Sequence, residues 1–300
     1  MILGLHKILL RVLSVVILTS CGLAQQSVDS MLDKCFHSMY NLQFDTAFQI
    51  VKQAKAADPP DPMPWVADAS AVLFRELDRL HVLRSDLFVS DVAFSSRPAY
   101  NWNADSQKQF EAALASAEKL ARDRLARDKN DIRALFALSL VYGLRANDAA
   151  LIGKHNLTSL SHTKTSTGFA ERLLALAPSY YDAYIATGMG QYLIGSKPAP
   201  VRWVLRLGGY KGDQEEGLKE LTMVAEHGRY LAPFAQILLA FNDLRHQNRP
   251  EARKKFSALH DQFPANPLYA QEMAKCDKPV LRTASDSHDL LKINADSDSR

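Results

Sequence analysis

The sequence predicts an all-α protein of about five helical hairpins followed by a short closing helix. Three observations carry this expectation. Apolar and small residues recur at spacings of three and four along most of the 300-residue chain, the period of one helix face. The same local order returns at distant points. In FDTAFQIVKQAKAADPPDPMPWVADA, Ala47, Val51, Ala54 and Pro59 fall at spacings of four, three and five, and Ala252, Phe256, Leu259 and Pro264 repeat those spacings in PEARKKFSALHDQFPANP. Proline follows these stretches where a helix must end, because it lacks the N–H and clashes with the preceding turn.

The first element is a targeting signal. MILGLHKILLRVLSVVILTSCGLAQQ carries Lys7 and Arg11, an apolar run from Val12 to Leu18, then small residues, with no acid before Asp29. The run is too short to span a bilayer, which takes ~20 apolar residues. Leu18-Thr19-Ser20-Cys21 resembles the bacterial lipobox, in which Cys21 would receive a diacylglyceryl group, and a plain signal-peptidase site ends at Ala24. A lipoprotein and a soluble exported protein both remain open, with residues 1–24 as the signal. Without Lys7 and Arg11 the chain has 34 basic against 33 acidic side chains, so charge gives no reason to bind nucleic acid.

The helical pattern then places hairpins at 28–41 with 44–57, 62–82 with 105–128, 131–146 with 157–176, 180–194 with 214–228, and 231–247 with 249–262. A closing helix around 266–276 completes a domain over 27–277. Insertions near 84–104 and 196–213 each separate the two helices of a hairpin. The tail, 278–300, is polar and lacks aromatic residues, which predicts disorder.

The residue order within these hairpins resembles the tetratricopeptide repeat (TPR) family, here of an exported bacterial type. ERLLALAPSYYDAYIATG gives Ala170, Leu173 and Pro178, then Tyr184, Thr187 and Gly188. ASAEKLARDRLARDKNDIRALFALSLVY gives Ala117 and Ala121, then Leu135, Leu138, Ser139 and Tyr142. The resemblance implies a right-handed superhelical solenoid whose first helices line a concave groove. Carrying the family's groove positions over names Phe36, Tyr40, Val66, Phe74, Phe136, Leu140, Ile185, Met189, Tyr192 and Phe241. Such a groove is apolar and aromatic, unlike the lysine- and asparagine-lined clamps that hold acidic peptide ends. An exposed apolar groove marks an interaction site. The alternative is that long helices and the two insertions fold into it and make these residues core, as apolar residues at helical spacing usually are.

The second insertion has its own resemblance. GMGQYLIGSKPAPVRWVLRLGGYKGDQEEGLKEL is similar to the eukaryotic TPR family of inclusion-body clearance proteins, matching at Pro200, Leu205, Gly209, Tyr210, Gly212, Asp213, Gly217 and Leu218. The family's members are interaction proteins, and the match brings no catalytic residues. Read locally, Pro200 suits a first helical turn, Gly209 and Gly212 are permissive turns, and Asp213 with Glu216 forms a capping box. The segment is expected to be a structural joint, with membrane or partner contact as the other reading.

No catalytic signature is present: no H-E-x-x-H, no G-x-S-x-G and no paired C-x-x-C. His155 and His162 lack a third ligand nearby in sequence, so no metal or cofactor is expected. Cys35 and Cys276 stand at opposite ends of the expected solenoid, where stacked repeats touch only neighbours, so no bond between them is expected. The functional expectation is a non-enzymatic scaffold of the bacterial envelope, binding an unidentified envelope protein or an amphipathic segment in the groove. The alternative is a lipid- or membrane-associated carrier using the same groove and the basic-apolar segment 200–211.

Overall fold

A computed structural model describes residues 27–197, 199–207, 209 and 212–278. The segments read from sequence as a signal and as a lipobox ending at Cys21, and the tail beyond 278, lie outside these residues. The described chain forms thirteen α-helices and no strand. They are α1 (27–40), α2 (Phe44–Ala57), α3 (Met63–Arg79), α4 (Asp91–Ser96), α5 (Ala104–Arg127), α6 (Ile132–Leu151), α7 (Asn156–Leu176), α8 (Tyr184–Gly195), α9 (Ala199–Leu207), α10 (Gln214–His227), α11 (Ala232–Arg245), α12 (Arg249–Gln262) and α13 (Pro267–Asp277). The insertion between α3 and α5 also holds a 3-10 turn, Ser85–Leu87.

Local chemistry starts these helices. Asn103 caps α5 by accepting from the N–H of Asp105 and Ser106, Asp131 caps α6 through Ala134 N, and Asn266 caps α13 through Leu268 N. Each cap satisfies a backbone donor that a helix start leaves unpaired. Proline occupies the first turns of α3, α11, α12 and α13, where its missing N–H costs nothing. Leu42, at φ 58°, stops α1 in the left-handed region and turns the chain into α2.

Packing follows the small residues. Ala47, Val51 and Ala54 of α2 and Ala113, Ala117 and Ala121 of α5 are wholly or almost wholly buried. The tightest approach is α8 on α10. A Cβ on Gly217 would stand 2.6 Å from Tyr192 N and 2.7 Å from Gly188 O, so only glycine lets these backbones meet. Gly212 serves the same crossing, because a Cβ there would strike Ile194 and Gly195. Its role is close approach and not the permissive turn read from sequence. Gly209 does take a positive φ, 77°.

The chain does not end as an open solenoid. Its N-terminal helix packs against the C-terminal helices, which corrects the expectation that Cys35 and Cys276 mark opposite, separated ends. Arg229, just after α10, grips Asp33 of α1 with two bonds of 2.7 and 2.8 Å and reaches Asp29 at 3.4 Å. The Tyr40 hydroxyl donates to Tyr230 O at 3.0 Å, Asn266 Nδ2 donates to Tyr40 O at 2.9 Å, and Ala265 N donates to Asn41 Oδ1. Phe36 meets the Tyr230 ring at 5.1 Å, and Phe263 lies against His37 and Tyr40. Asp29 is shared with Arg133, which bridges it at 2.8 Å and the buried Asp61 at 2.5 Å. Both thiols are free; Cys35 donates to Ala47 O within its own hairpin, and burial pushes it up to about 12.

Candidate functional site: a largely apolar cavity

Closing the ends turns the concave side of the helix array into a cavity of about 380 Å³. Its wall comes from α1, α3, α6, α7, α8, α11 and α13, each contributing side chains three or four apart, with Leu218 and Leu221 of α10 beside them. The lining is chiefly Leu, Phe, Ile, Met and Ala; Ser70, Ser139, Ser159, Thr163 and Ser166 add hydroxyls. Several of these are already committed: Ser70 donates to Val66 O, Ser166 to Ser139 O, and Thr163 to Ser159 O. The wall therefore offers few free polar groups to a guest.

The first insertion supplies the roof. Val82, Leu83, Phe88 and Phe94 line the cavity from this segment. It is fastened at several points. Buried Glu272 of α13 accepts from Ser85 N at 3.2 Å and from Ser85 Oγ, and Lys275 bonds Asp86 at 2.8 Å. Arg245 of α11 donates to Phe88 O and pairs with Asp91 at 2.6 Å, while the Phe88 ring stacks on Phe241 at 5.0 Å. At the far end Asn103 N donates to Glu76 at 2.6 Å, and Trp102 Nε1 donates to Asp148 at 2.8 Å. Burial raises the Glu76 pKa, but Arg79 and the Asn103 N–H outweigh it and hold the carboxylate below its usual range. Replacing Glu272 with Ala strands the Ser85 N–H and hydroxyl in a dry site, an expected loss of about 2 kcal/mol. Limited proteolysis should then cut the segment 84–97 faster than in the parent, while cleavage elsewhere keeps its rate.

The mouth is identified by exposure. Among the described lining residues, Asp91, Leu193 and Lys197 are the exposed ones. They belong together, since Arg245 bonded to Asp91 and the nearby Lys197 both hold the Asp91 carboxyl below the ordinary range. Tyr192 donates to Asn242 at 3.0 Å just inside. The cavity is thus chiefly apolar, with scattered buried polar side chains such as Ser139, Ser166 and Glu272 in its wall and the cationic Lys197 and Arg245 at its opening.

The ten groove positions named from sequence divide into two sets. Phe36, Tyr40, Phe74, Leu140, Ile185, Met189, Tyr192 and Phe241 all face the cavity. Val66 and Phe136 do not: both have 0% exposure and are core, with Phe136 packed on the Tyr180 ring at 4.8 Å. The first insertion and α13 contribute side chains to the wall of this space, which stays partly open. Sequence reasoning missed the roof residues Phe88 and Phe94, which fit no repeat register.

The second insertion sits beside the mouth. Asp213 caps α10 by accepting from Glu215 N and Glu216 N. Glu216 turns toward Lys219, at 3.5 Å. Pro200 lies in the first turn of α9, which Arg202 ties to the end of α8 through Gly195 O at 3.2 Å.

A second pocket, also about 380 Å³, lies between the first insertion and α5 to α7, with Trp102, Glu111, Arg145, Asp148, His155 and His162 in its wall. Burial raises the Asp148 pKa despite the Trp102 bond, and burial with Arg145 lowers that of His162. Among the described residues no group of three or more His, Cys, Asp or Glu side chains could hold a metal ion. No described helix is long and apolar enough to cross a membrane. Compared with protein-family models, curated proteins and solved structures, the chain has no match.

Proposed function

We propose that this chain is a non-catalytic binding protein that carries an amphiphile with one elongated apolar tail, exported to the bacterial envelope and anchored there through Cys21. The observation that carries the reading is the cavity: lined chiefly by apolar side chains, of a size usual for small-molecule sites, and with cationic groups at its mouth. An acyl-like tail would fill the interior, and its head would stay at the opening beside Lys197 and Arg245. The helical hairpins are then TPR-like repeats whose array curves until its ends meet. This favours a carrier over a scaffold that grips a protein segment, because the roof segment and α13 occupy the side on which such a segment would lie.

Filling the cavity tests it. The paired change Leu140→Trp and Met189→Trp adds bulk at two partly buried lining positions. The parent protein should raise the fluorescence of N-phenyl-1-naphthylamine, and a long-chain fatty acid should displace the dye. The double variant should bind the dye at least about tenfold more weakly, 1.4 kcal/mol, with an unchanged melting curve. A parent that leaves the dye unaffected, or a folded variant that binds it equally well, sinks the proposal.

A further inference from the structure

The described residues include eight large apolar side chains left exposed: among them Leu193 lines the cavity mouth, Val89 and Val92 lie on the roof segment, and Val201, Trp203 and Leu207 lie on α9, which Arg202 ties to the end of α8. Trp203 and Leu207 are 64% and 71% exposed and stand four apart, so they share one face of α9. Arg202 and Arg206, also four apart, form the adjoining face, and both are exposed. Lys197 precedes them at the mouth, and no acidic residue occurs from 197 to 212. The rim's acid, Asp91, is already paired with Arg245.

We propose that this rim docks on an anionic lipid surface, with α9 lying in the headgroup layer so that the cavity exchanges its amphiphile directly with the membrane. The proposal rests on the carrier reading for what is exchanged, whereas the docking rests on the rim alone. Three features favour lipid as the occupant. A short helix with Trp and Leu on one face and arginines on the next has the composition of an interfacial helix. Tryptophan sits preferentially at the level of the headgroups. Each arginine near an anionic surface adds favourable free energy that salt screens. α9 follows the mouth residue Lys197 in the chain and is tied to the end of α8 by Arg202, so docking of α9 would bring the opening toward the bilayer.

The test uses the full chain as the cell processes it, mixed with vesicles of phosphatidylethanolamine and phosphatidylglycerol whose acyl chains carry bromine. Bromine quenches a tryptophan within the acyl region, and subtracting the signal of Trp203→Phe isolates Trp203. The expected result is quenching of Trp203 that is absent with phosphatidylcholine vesicles and abolished by high salt. The pair Arg202→Glu and Arg206→Glu should need roughly tenfold more anionic lipid for half-quenching. If Trp203 is not quenched, if lipid charge makes no difference, or if Trp203 crosslinks in cells to a protein and not to lipid, the docking proposal is overturned. Dye binding separates the two readings: a parent that binds the dye while Trp203 stays unquenched loses only the docking. Quenching without dye binding removes the carrier reading and, with it, the exchange.

Discussion

Gly217→Ala should unfold the middle of the protein at a temperature where the parent is intact. The added Cβ would stand 2.6 and 2.7 Å from backbone atoms of Tyr192 and Gly188, which no rotamer change can relieve. The only escape is for α8 and α10 to separate, and α8 carries the lining residues Ile185, Met189 and Tyr192. Overpacking of this kind costs roughly 1–3 kcal/mol or more, against a gain of at most ~1 kcal/mol from helix propensity. The net effect should lower Tm by several degrees and weaken binding of the apolar dye in parallel. Gly168→Ala is the matched control. It also lies within a helix, α7, but a Cβ there meets nothing within 4 Å, so the same substitution should leave Tm unchanged or raise it. Equal behaviour of the two variants would refute the close-approach account of α8 and α10.

Asp182→Ala should loosen α1 from the turn after α10. The Asp182 carboxylate accepts from Arg229 N at 3.1 Å, Tyr230 N at 3.2 Å and Leu231 N at 2.9 Å, shaping the turn that presents Arg229 and Tyr230 to α1. Two of these three bonds are buried, and each stranded N–H costs about 1–3 kcal/mol. A loss of roughly 3 kcal/mol is expected, with faster amide exchange in α1 than in α5, because α1 depends on that turn. Asp182→Asn keeps one acceptor and should lose less.

The same site has a defined pH signature. Burial raises the Asp182 pKa above the ordinary carboxylate value, against the three N–H bonds and Arg229. The folded state therefore favours the protonated acid. Its contribution is fully present below the ordinary pKa and is lost as pH rises through the raised one. Glu76 and Glu118, whose pKa values are lowered, act in the opposite sense: their contribution is lost as pH falls. Comparing the parent with Asp182→Asn across the carboxylate range isolates the first effect. The parent's stability advantage over Asn should shrink as pH rises toward neutral, and a constant gap would contradict the assignment.

Both variants act through features that differ in how far the sequence exposes them. Helical class was legible because it is periodic: Ala47, Val51 and Ala54 repeat every three or four residues, and that spacing already states which face is buried. The division of a face between core and cavity was not. Phe136 and Leu140 lie one turn apart on α6, equally apolar, and only the neighbours decide that one meets the Tyr180 ring and the other an empty space. Roof residues Phe88 and Phe94 were invisible for a related reason. They lie in an irregular segment whose position is set by Glu272 and Arg245, distant in sequence.

The sequence by itself determined an all-helical chain, since helix period, caps and helix-ending prolines act within a few residues of one another. Only the tertiary structure decided that the N-terminal helix meets the C-terminal helices and that a largely apolar cavity lies between the helices. That outcome depends on contacts such as Arg229 with Asp33 and Tyr40 with Tyr230, between residues almost 200 positions apart. Each local spacing is compatible with an open or a closed array. Small rotations at every helix crossing add along the chain, and only their sum brings α1 against the C-terminal helices.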